Sequence, residues 1–94
     1  MPLVLQRIRQ KVLQLDLVFS SHAIDEMIKD EFSPFDVQDV KVCLLSGSIR
    51  KKETDFNGTK YTILGKSSDG WLMEVVVRFR ADGKLFVITN YMVE

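Results

Sequence analysis

Apolar residues recur at every third or fourth position at the start of the chain, with Gln, Arg and Lys between them. The apolar residues that share this spacing are Leu5, Ile8, Val12 and Leu15. Such spacing places side chains on one face of a helix, so the pattern predicts an amphipathic helix within residues 1–16. Residues 17–19 are apolar and follow directly, and we expect them to form a short strand or a packed connector.

A second helix is predicted from His22 to about Glu31. Ser20 and Ser21 precede it as candidate N-caps, because a serine hydroxyl can accept a hydrogen bond from a free N–H of the first helical turn. The residues expected to form the apolar stripe of this helix are Ile24, Met27 and Ile28.

The third predicted helix has clear signals for both of its ends. Ser33 has the position of an N-cap, Pro34 that of the first helical residue, and Asp36 can reach back toward the cap. We expect Gly47 to end the helix in a left-handed conformation. Cys43 falls inside the helix and is expected to be a small buried side chain.

From residue 48 onward the hydrophobic period changes to two, which is typical of strands. Three dipeptides favour tight turns: Asn57-Gly58, Asp69-Gly70 and Asp82-Gly83. They separate four runs, which are Ile49–Thr54, Lys60–Gly65, Trp71–Arg80 and Leu85–Val93. The sequence therefore predicts an α+β fold in which about three helices pack on a four-stranded antiparallel meander.

Composition limits the function classes for these 94 residues. One histidine and one cysteine allow no internal disulfide and are too few for a His/Cys zinc site. There is no phosphate-binding loop or dinucleotide motif, so we expect neither a metal nor a cofactor. No apolar run is long enough for a membrane span, and Gln and Arg interrupt the N-terminal run, unlike in a signal peptide. We expect a cytoplasmic protein with one domain, residues 1–94.

The net charge of zero conceals an uneven distribution along the chain. Residues 1–20 have a net charge of +2, residues 21–47 of −4 and residues 48–94 of +2. Arg78 and Arg80 are two positions apart on one predicted strand and should share a face. Such a face could bind phosphates or could be an ordinary solvated surface, and the acidic middle could dock a basic partner.

Three side chains outside the basic set are candidates for chemistry. His22 has an unperturbed pKa near neutrality and stands at a predicted helix start, where a neutral imidazole can act as a base; alternatively it caps the helix or packs against the sheet. Thr89 and Tyr91 share a strand face, although both residue types are also simply good strand formers. For stacking on RNA bases, Tyr61 and Tyr91 are the candidate rings.

Three short segments resemble the motifs of one protein family. They are FSSHAIDEM at 19–27, FSPFDVQDV at 32–40 and VITNY at 87–91. In this order and spacing they are similar to a family of small bacterial domains of unknown function that is grouped with the RelE/BrnT-like toxin fold. The resemblance covers residues 17–94 and leaves the N-terminal helix outside. That helix could cover a surface, form a dimer contact or dock a partner.

The resemblance implies a RelE-like fold and a toxin of a toxin–antitoxin pair that cleaves RNA without a metal. In such enzymes a ribose 2′-hydroxyl attacks the adjacent phosphate, and side chains on the sheet face assist. The catalytic residues implied for this chain are His22, Arg78 and Tyr91. The implied substrate-binding residues are Arg80, Thr89 and Lys51. RNA or the ribosome and an antitoxin protein are the implied partners.

A second function class also fits the sequence. The zero net charge, the acidic helical half and the lack of a dense catalytic cluster are compatible with a non-catalytic protein-binding domain on the same scaffold. Such a domain would bind its partner through the first helix or by strand addition at a free sheet edge.

Overall fold

Three helices and five strands follow one another in a computed structural model that describes residues 3–29 and 35–93. The helices are α1 (Leu3–Leu13), α2 (Ser21–Lys29) and α3 (Val37–Ser46). The strands are β1 (Leu17–Phe19), β2 (Ser48–Asp55), β3 (Gly58–Lys66), β4 (Leu72–Phe79) and β5 (Leu85–Met92). The mixed α+β class is confirmed.

The sheet has five strands in the order β1-β5-β4-β3-β2, so the prediction of four antiparallel strands was incomplete. β2 to β5 are joined as consecutive antiparallel neighbours, whereas β1 pairs in parallel with β5. The Ser20 N–H extends this parallel pairing by donating to the Val87 carbonyl over 3.0 Å. A three-residue apolar run has no period of its own, which is why the sequence could not distinguish this strand from a connector.

The helices pack on one face of the sheet, and the core lies between the two layers. Residues of this core that are fully buried include Ile8, Leu44, Ile63, Met73, Val75, Val77, Leu85 and Val87. α1 contributes Leu5, Ile8 and Val12 to it, so this helix covers the core. Leu15, which the pattern placed on the same stripe, lies beyond the helix at φ 58° and is 69% exposed.

The apolar stripe predicted for α2 was partly wrong. Ala23 and Met27 are the buried residues of this helix, whereas Ile24 and Ile28 are exposed. Ser20 is its N-cap, since its hydroxyl oxygen accepts a hydrogen bond from the Ala23 N–H over 3.0 Å. The position of α2 against β5 is therefore set by a small residue and one methionine.

α3 begins later than the sequence predicted. Its N-cap is Asp36, whose carboxylate accepts from the Asp39 N–H while the Asp39 carboxylate accepts from the Asp36 N–H. This reciprocal pair is a capping box. The predicted cap residues Ser33 and Pro34 lie outside the described residues.

Two glycines allow the end of α3 to approach β3 closely. Gly47 has φ −88°, so it is extended and not left-handed as predicted. A Cβ on Gly47 would lie 2.6 Å from the Leu64 carbonyl oxygen, and one on Gly65 would lie 2.4 Å from the Cys43 carbonyl oxygen. Gly65 lies within β3, and its lack of a side chain makes this close approach possible.

Candidate functional site

The sheet face opposite the helices contains a pocket of about 340 Å³. Its basic side chains are Arg50, Lys51 and Lys60. Its hydroxyl side chains are Thr62, Thr89 and Tyr91. The carboxylates of Glu53 and Glu74 and the apolar side chains of Val76 and Ile88 complete the lining. We call this cavity the open-face pocket. Lys51, Thr89 and Tyr91 were predicted as site residues from the sequence, and the fold brings them together here.

A β-bulge in β2 increases the positive charge of the open-face pocket. The pairing of β2 with β3 shifts between Ile49 and Lys51, which leaves Arg50 as the extra residue. Successive strand residues ordinarily point to opposite faces. Because of the bulge, the consecutive side chains of Arg50 and Lys51 both line the pocket.

A second bulge lies on the opposite side of the pocket, in β5. Val76 pairs with Thr89 and Val77 with Val87, so Ile88 is the extra residue. The consecutive side chains of Ile88 and Thr89 both line the pocket as a result. Bulges are frequent beside functional sites because they change the direction in which side chains point. Here two bulges direct side chains into the same pocket.

Glu74 is the buried acid of the pocket, with 6% of its surface exposed. Its Oε2 forms an ion pair with Nη1 of Arg50. Its Oε1 accepts a 2.7 Å hydrogen bond from the hydroxyl of Tyr91, the residue opposite it on β5. This hydrogen bond, together with burial, raises the pKa of Tyr91. The hydroxyl therefore stays protonated at neutral pH and is available as a donor.

His22 does not line the pocket. Its side chain is 70% exposed, and its Nε2 lies 3.4 Å from Oε1 of Glu26. The same Glu26 oxygen accepts hydrogen bonds from the Thr89 hydroxyl and, over 3.1 Å, from the Asn90 N–H. Glu26 therefore contacts both His22 and the pocket residue Thr89.

Neither of the two arginines predicted to share a strand face lines the pocket. Arg78 is on the open face, where its guanidinium lies 5.3 Å from the centre of the Phe86 ring, and it does not line the pocket. Arg80 follows the last residue of β4 and forms a 3.0 Å ion pair with Asp82 in the β4–β5 turn. The assigned strand ends at Phe79, one residue before Arg80, while the Arg80 N–H still donates to the Lys84 carbonyl across the hairpin over 2.8 Å.

Sequence reasoning missed Arg50, Glu74 and Glu26 as site residues. A signal for Glu74 was present, since it is the one acid in the otherwise apolar run from Leu72 to Val77. Strict alternation places Arg50 and Lys51 on opposite faces, so the sequence could not show that both line the pocket. The contact of Glu26 with Thr89 depends on the packing of α2 against β5. This is a tertiary contact, which no local sequence pattern shows.

Two further groups of side chains bear on the chemistry. Burial raises the pKa of Cys43 to about 12, and its thiol donates to the Met73 carbonyl over 3.4 Å, so it is not a nucleophile at neutral pH. The described part of the chain has no group of three or more His, Cys, Asp or Glu side chains arranged to hold a metal ion. Within the same residues, no helix has the length and hydropathy needed to cross a membrane.

Comparison with known proteins gives one match. The model of a family described as "Domain of unknown function (DUF4258)" matches residues 19–91. The match starts in β1 and ends in β5, so it includes every residue of the open-face pocket and leaves α1 outside. No curated protein and no solved structure matches the chain significantly. The kinship with RelE and BrnT toxins thus stays a prediction.

Proposed function

Since the chain belongs to the DUF4258 family of domains of unknown function, we propose its function from the open-face pocket: RNA binding and metal-independent RNA cleavage by a RelE-like toxin. The observation that supports this proposal is the cluster of Arg50, Lys51 and Lys60 around the buried Glu74 and the Tyr91 hydroxyl that is hydrogen-bonded to it. Cations that bind phosphate stand beside a carboxylate and a proton donor, which are the groups that phosphoryl transfer from a 2′-hydroxyl requires.

The basic side chains are suited to binding an RNA phosphate. Arginine can contact two phosphate oxygens at once, and lysine neutralises charge as a point cation. Lys51 also forms a 3.4 Å ion pair with Glu53, but both side chains are exposed. An exposed pair contributes little to stability, so a phosphate can displace Glu53 from Lys51 at small cost.

Glu74 and Tyr91 supply the proton transfers. The 2′ oxygen forms a bond to phosphorus while its proton passes to the Glu74 carboxylate. The bond from phosphorus to the 5′ oxygen breaks, and the 5′ oxygen takes the proton of the Tyr91 hydroxyl. Glu74 then returns a proton to Tyr91 along their hydrogen bond. The products are a 2′,3′-cyclic phosphate and a 5′-hydroxyl, and both side chains recover their starting states.

In this mechanism Arg50, in place of the implied catalytic residue Arg78, stabilises the charge on the transition-state phosphorane. Arg78, on the same sheet face, extends the basic surface beyond the pocket. His22 orients Glu26, which in turn fixes the Thr89 hydroxyl that faces the phosphate. We propose a cytoplasmic site of action with an antitoxin as the natural inhibitor.

Expression in growing bacteria tests the proposal. The wild-type chain should arrest growth and degrade cellular RNA, while Glu74→Gln and Tyr91→Phe should abolish the arrest at equal protein levels. Asp69→Asn changes an exposed acid in the turn before β4 and should arrest growth like the wild type. A folded wild-type protein that neither slows growth nor degrades RNA overturns the proposal.

The protein-binding alternative is favoured by one observation, the free edge of the sheet. In β2 every residue except Ile49 is exposed, and within the described residues no strand pairs with its outer side. Such an edge can accept a strand from a partner. A stable partner whose binding is lost on Lys52→Pro, together with no RNA cleavage by the free protein, would establish this function in place of the first.

A further inference from the structure

The ring of Phe56 is 97% exposed at the tip of the β2–β3 hairpin. The two rings that the sequence suggested for base stacking are less exposed than that of Phe56. Tyr61 is partly buried against the core, and Tyr91 is 37% exposed with its hydroxyl hydrogen-bonded to Glu74. Phe56 contributes nothing to the buried core. The Phe56 ring therefore lies outside the core and is exposed to solvent.

The turn that presents Phe56 is held by its own hydrogen bonds. The Asp55 carboxylate accepts from the Asn57 N–H over 2.8 Å, and Gly58 takes a φ of 111°. On the strands below the tip, the hydroxyls of Thr54 and Thr59 are 3.0 Å apart and hydrogen-bonded. The ring is therefore displayed at a fixed place on a regular hairpin.

The hairpin that displays the ring is basic. Residues 50–60 contain four cations and two acids, for a net charge of +2. Two of the cations on this hairpin, Lys51 and Lys60, also line the open-face pocket. An exposed ring above a basic strand pair is the arrangement by which proteins stack on the bases of single-stranded RNA while contacting its phosphates.

We propose that Phe56 is a second RNA contact, a stacking platform for an unpaired base of the strand whose phosphate occupies the open-face pocket. This inference rests on the proposed RNA-binding function. Phe56 directly follows the last residue of β2 and is five residues from Lys51, which is roughly 17 Å of extended chain. A dinucleotide whose phosphate binds Lys51 does not reach the tip, whereas a longer single strand does. The hairpin would therefore set a minimum length for tight binding.

Fluorescence anisotropy with uncleavable 2′-O-methyl RNA tests the inference. The probes are a dinucleotide and an oligonucleotide of about eight nucleotides. Phe56→Ala should weaken binding of the longer RNA about tenfold and leave dinucleotide binding unchanged, and Phe56→Trp should restore it. Trp71→Ala is the matched control, since Trp71 is a 62% exposed aromatic residue outside this hairpin and outside the pocket.

The outcomes separate this inference from the function on which it rests. If Lys51→Ala weakens binding of both RNAs while Phe56→Ala binds the longer RNA as tightly as the wild type, the stacking platform is wrong and the pocket assignment stands. If the wild type binds neither RNA, the proposed function fails, and this inference fails with it.

Discussion

The Tyr91 hydroxyl donates a 2.7 Å hydrogen bond to Oε1 of Glu74, its direct neighbour across the β4–β5 pair. The other oxygen of this carboxylate binds Arg50. The three side chains come from β5, β4 and β2, so they meet only when the whole meander is in register. The arrangement of these three side chains in the pocket therefore depends on the assembled sheet.

Tyr91→Phe tests the proton donor. The substitution removes the hydroxyl and keeps the ring, so RNA affinity should change little while the cleavage rate falls about 10²-fold or more, the usual contribution of a general acid. Single-turnover kinetics at saturating protein measure the rate directly. A rate within twofold of wild type would exclude Tyr91 as the donor.

The pH dependence of Tyr91 can be followed separately. Its pKa is raised by the hydrogen bond to Glu74, so the stability from this bond is complete below the usual tyrosine pKa near 10 and is lost as pH rises through the higher folded value. The difference between the ultraviolet titrations of wild type and Tyr91→Phe isolates the Tyr91 phenol, which should ionise above 10. Ionisation of Tyr91 at or below 10 contradicts the hydrogen bond.

Lys51→Ala should reduce the salt dependence of RNA binding. Each phosphate contact to single-stranded RNA contributes about 0.7 to the slope of log K against log salt concentration. Removal of one contact should lower the slope by about that amount. Lys84→Ala removes an exposed cation in the β4–β5 turn and should leave the slope unchanged. Equal slopes for Lys51→Ala and wild type would remove Lys51 from the phosphate site.

Asp39→Asn should destabilise the fold in a pH-dependent way. Burial favours the neutral acid, but hydrogen bonds from Ser68 and from the Asp36 N–H outweigh it, and the pKa of Asp39 lies below its ordinary 3.8. A lowered pKa stabilises the fold above 3.8, and that contribution disappears as pH falls through the folded value.

Urea unfolding at several pH values measures this effect. At pH 7 Asp39→Asn should lose about 1–3 kcal/mol of unfolding free energy, and the difference from wild type should shrink below pH 3.8. A constant difference over the whole pH range would show that the charge of Asp39 does not hold the β3–β4 loop at Ser68.

Gly65→Ala should destabilise the contact between α3 and β3. The new Cβ would lie 2.4 Å from the Cys43 carbonyl oxygen, which is backbone and cannot rotate away. Overpacking of this kind costs about 1–3 kcal/mol, measurable as a lower urea midpoint. An unchanged midpoint would mean that the helix end can shift without cost.

Much of the fold follows from local sequence signals. The period of α1 from Leu5 to Val12, the N-cap at Ser20 and the glycines at 58, 70 and 83 act over a few residues, and each has its predicted place. The strand β1 and the burial of Ala23 in place of Ile24 depend on tertiary contacts with β5. No local pattern specifies such contacts, so these features were missed.

The candidate site was predictable to a smaller extent. Thr89 and Tyr91 line the pocket because they alternate on one strand, which is a local property. Arg50 and Lys51 line it together because of a bulge, and a bulge breaks the alternation of side-chain directions along a strand. Arg78 and Arg80 lie outside the pocket, near the β4–β5 turn, and no local signal shows where along a strand a pocket lies.

In vitro cleavage of single-stranded RNA by the purified protein, in the presence of a chelator, is the most direct test of the proposed metal-independent cleavage. We expect products with 2′,3′-cyclic phosphate and 5′-hydroxyl ends, no cleavage of a matched 2′-deoxy substrate, and a loss of about 10²-fold or more in rate for Glu74→Gln. Absence of cleavage by the folded protein, with or without ribosomes, would contradict it.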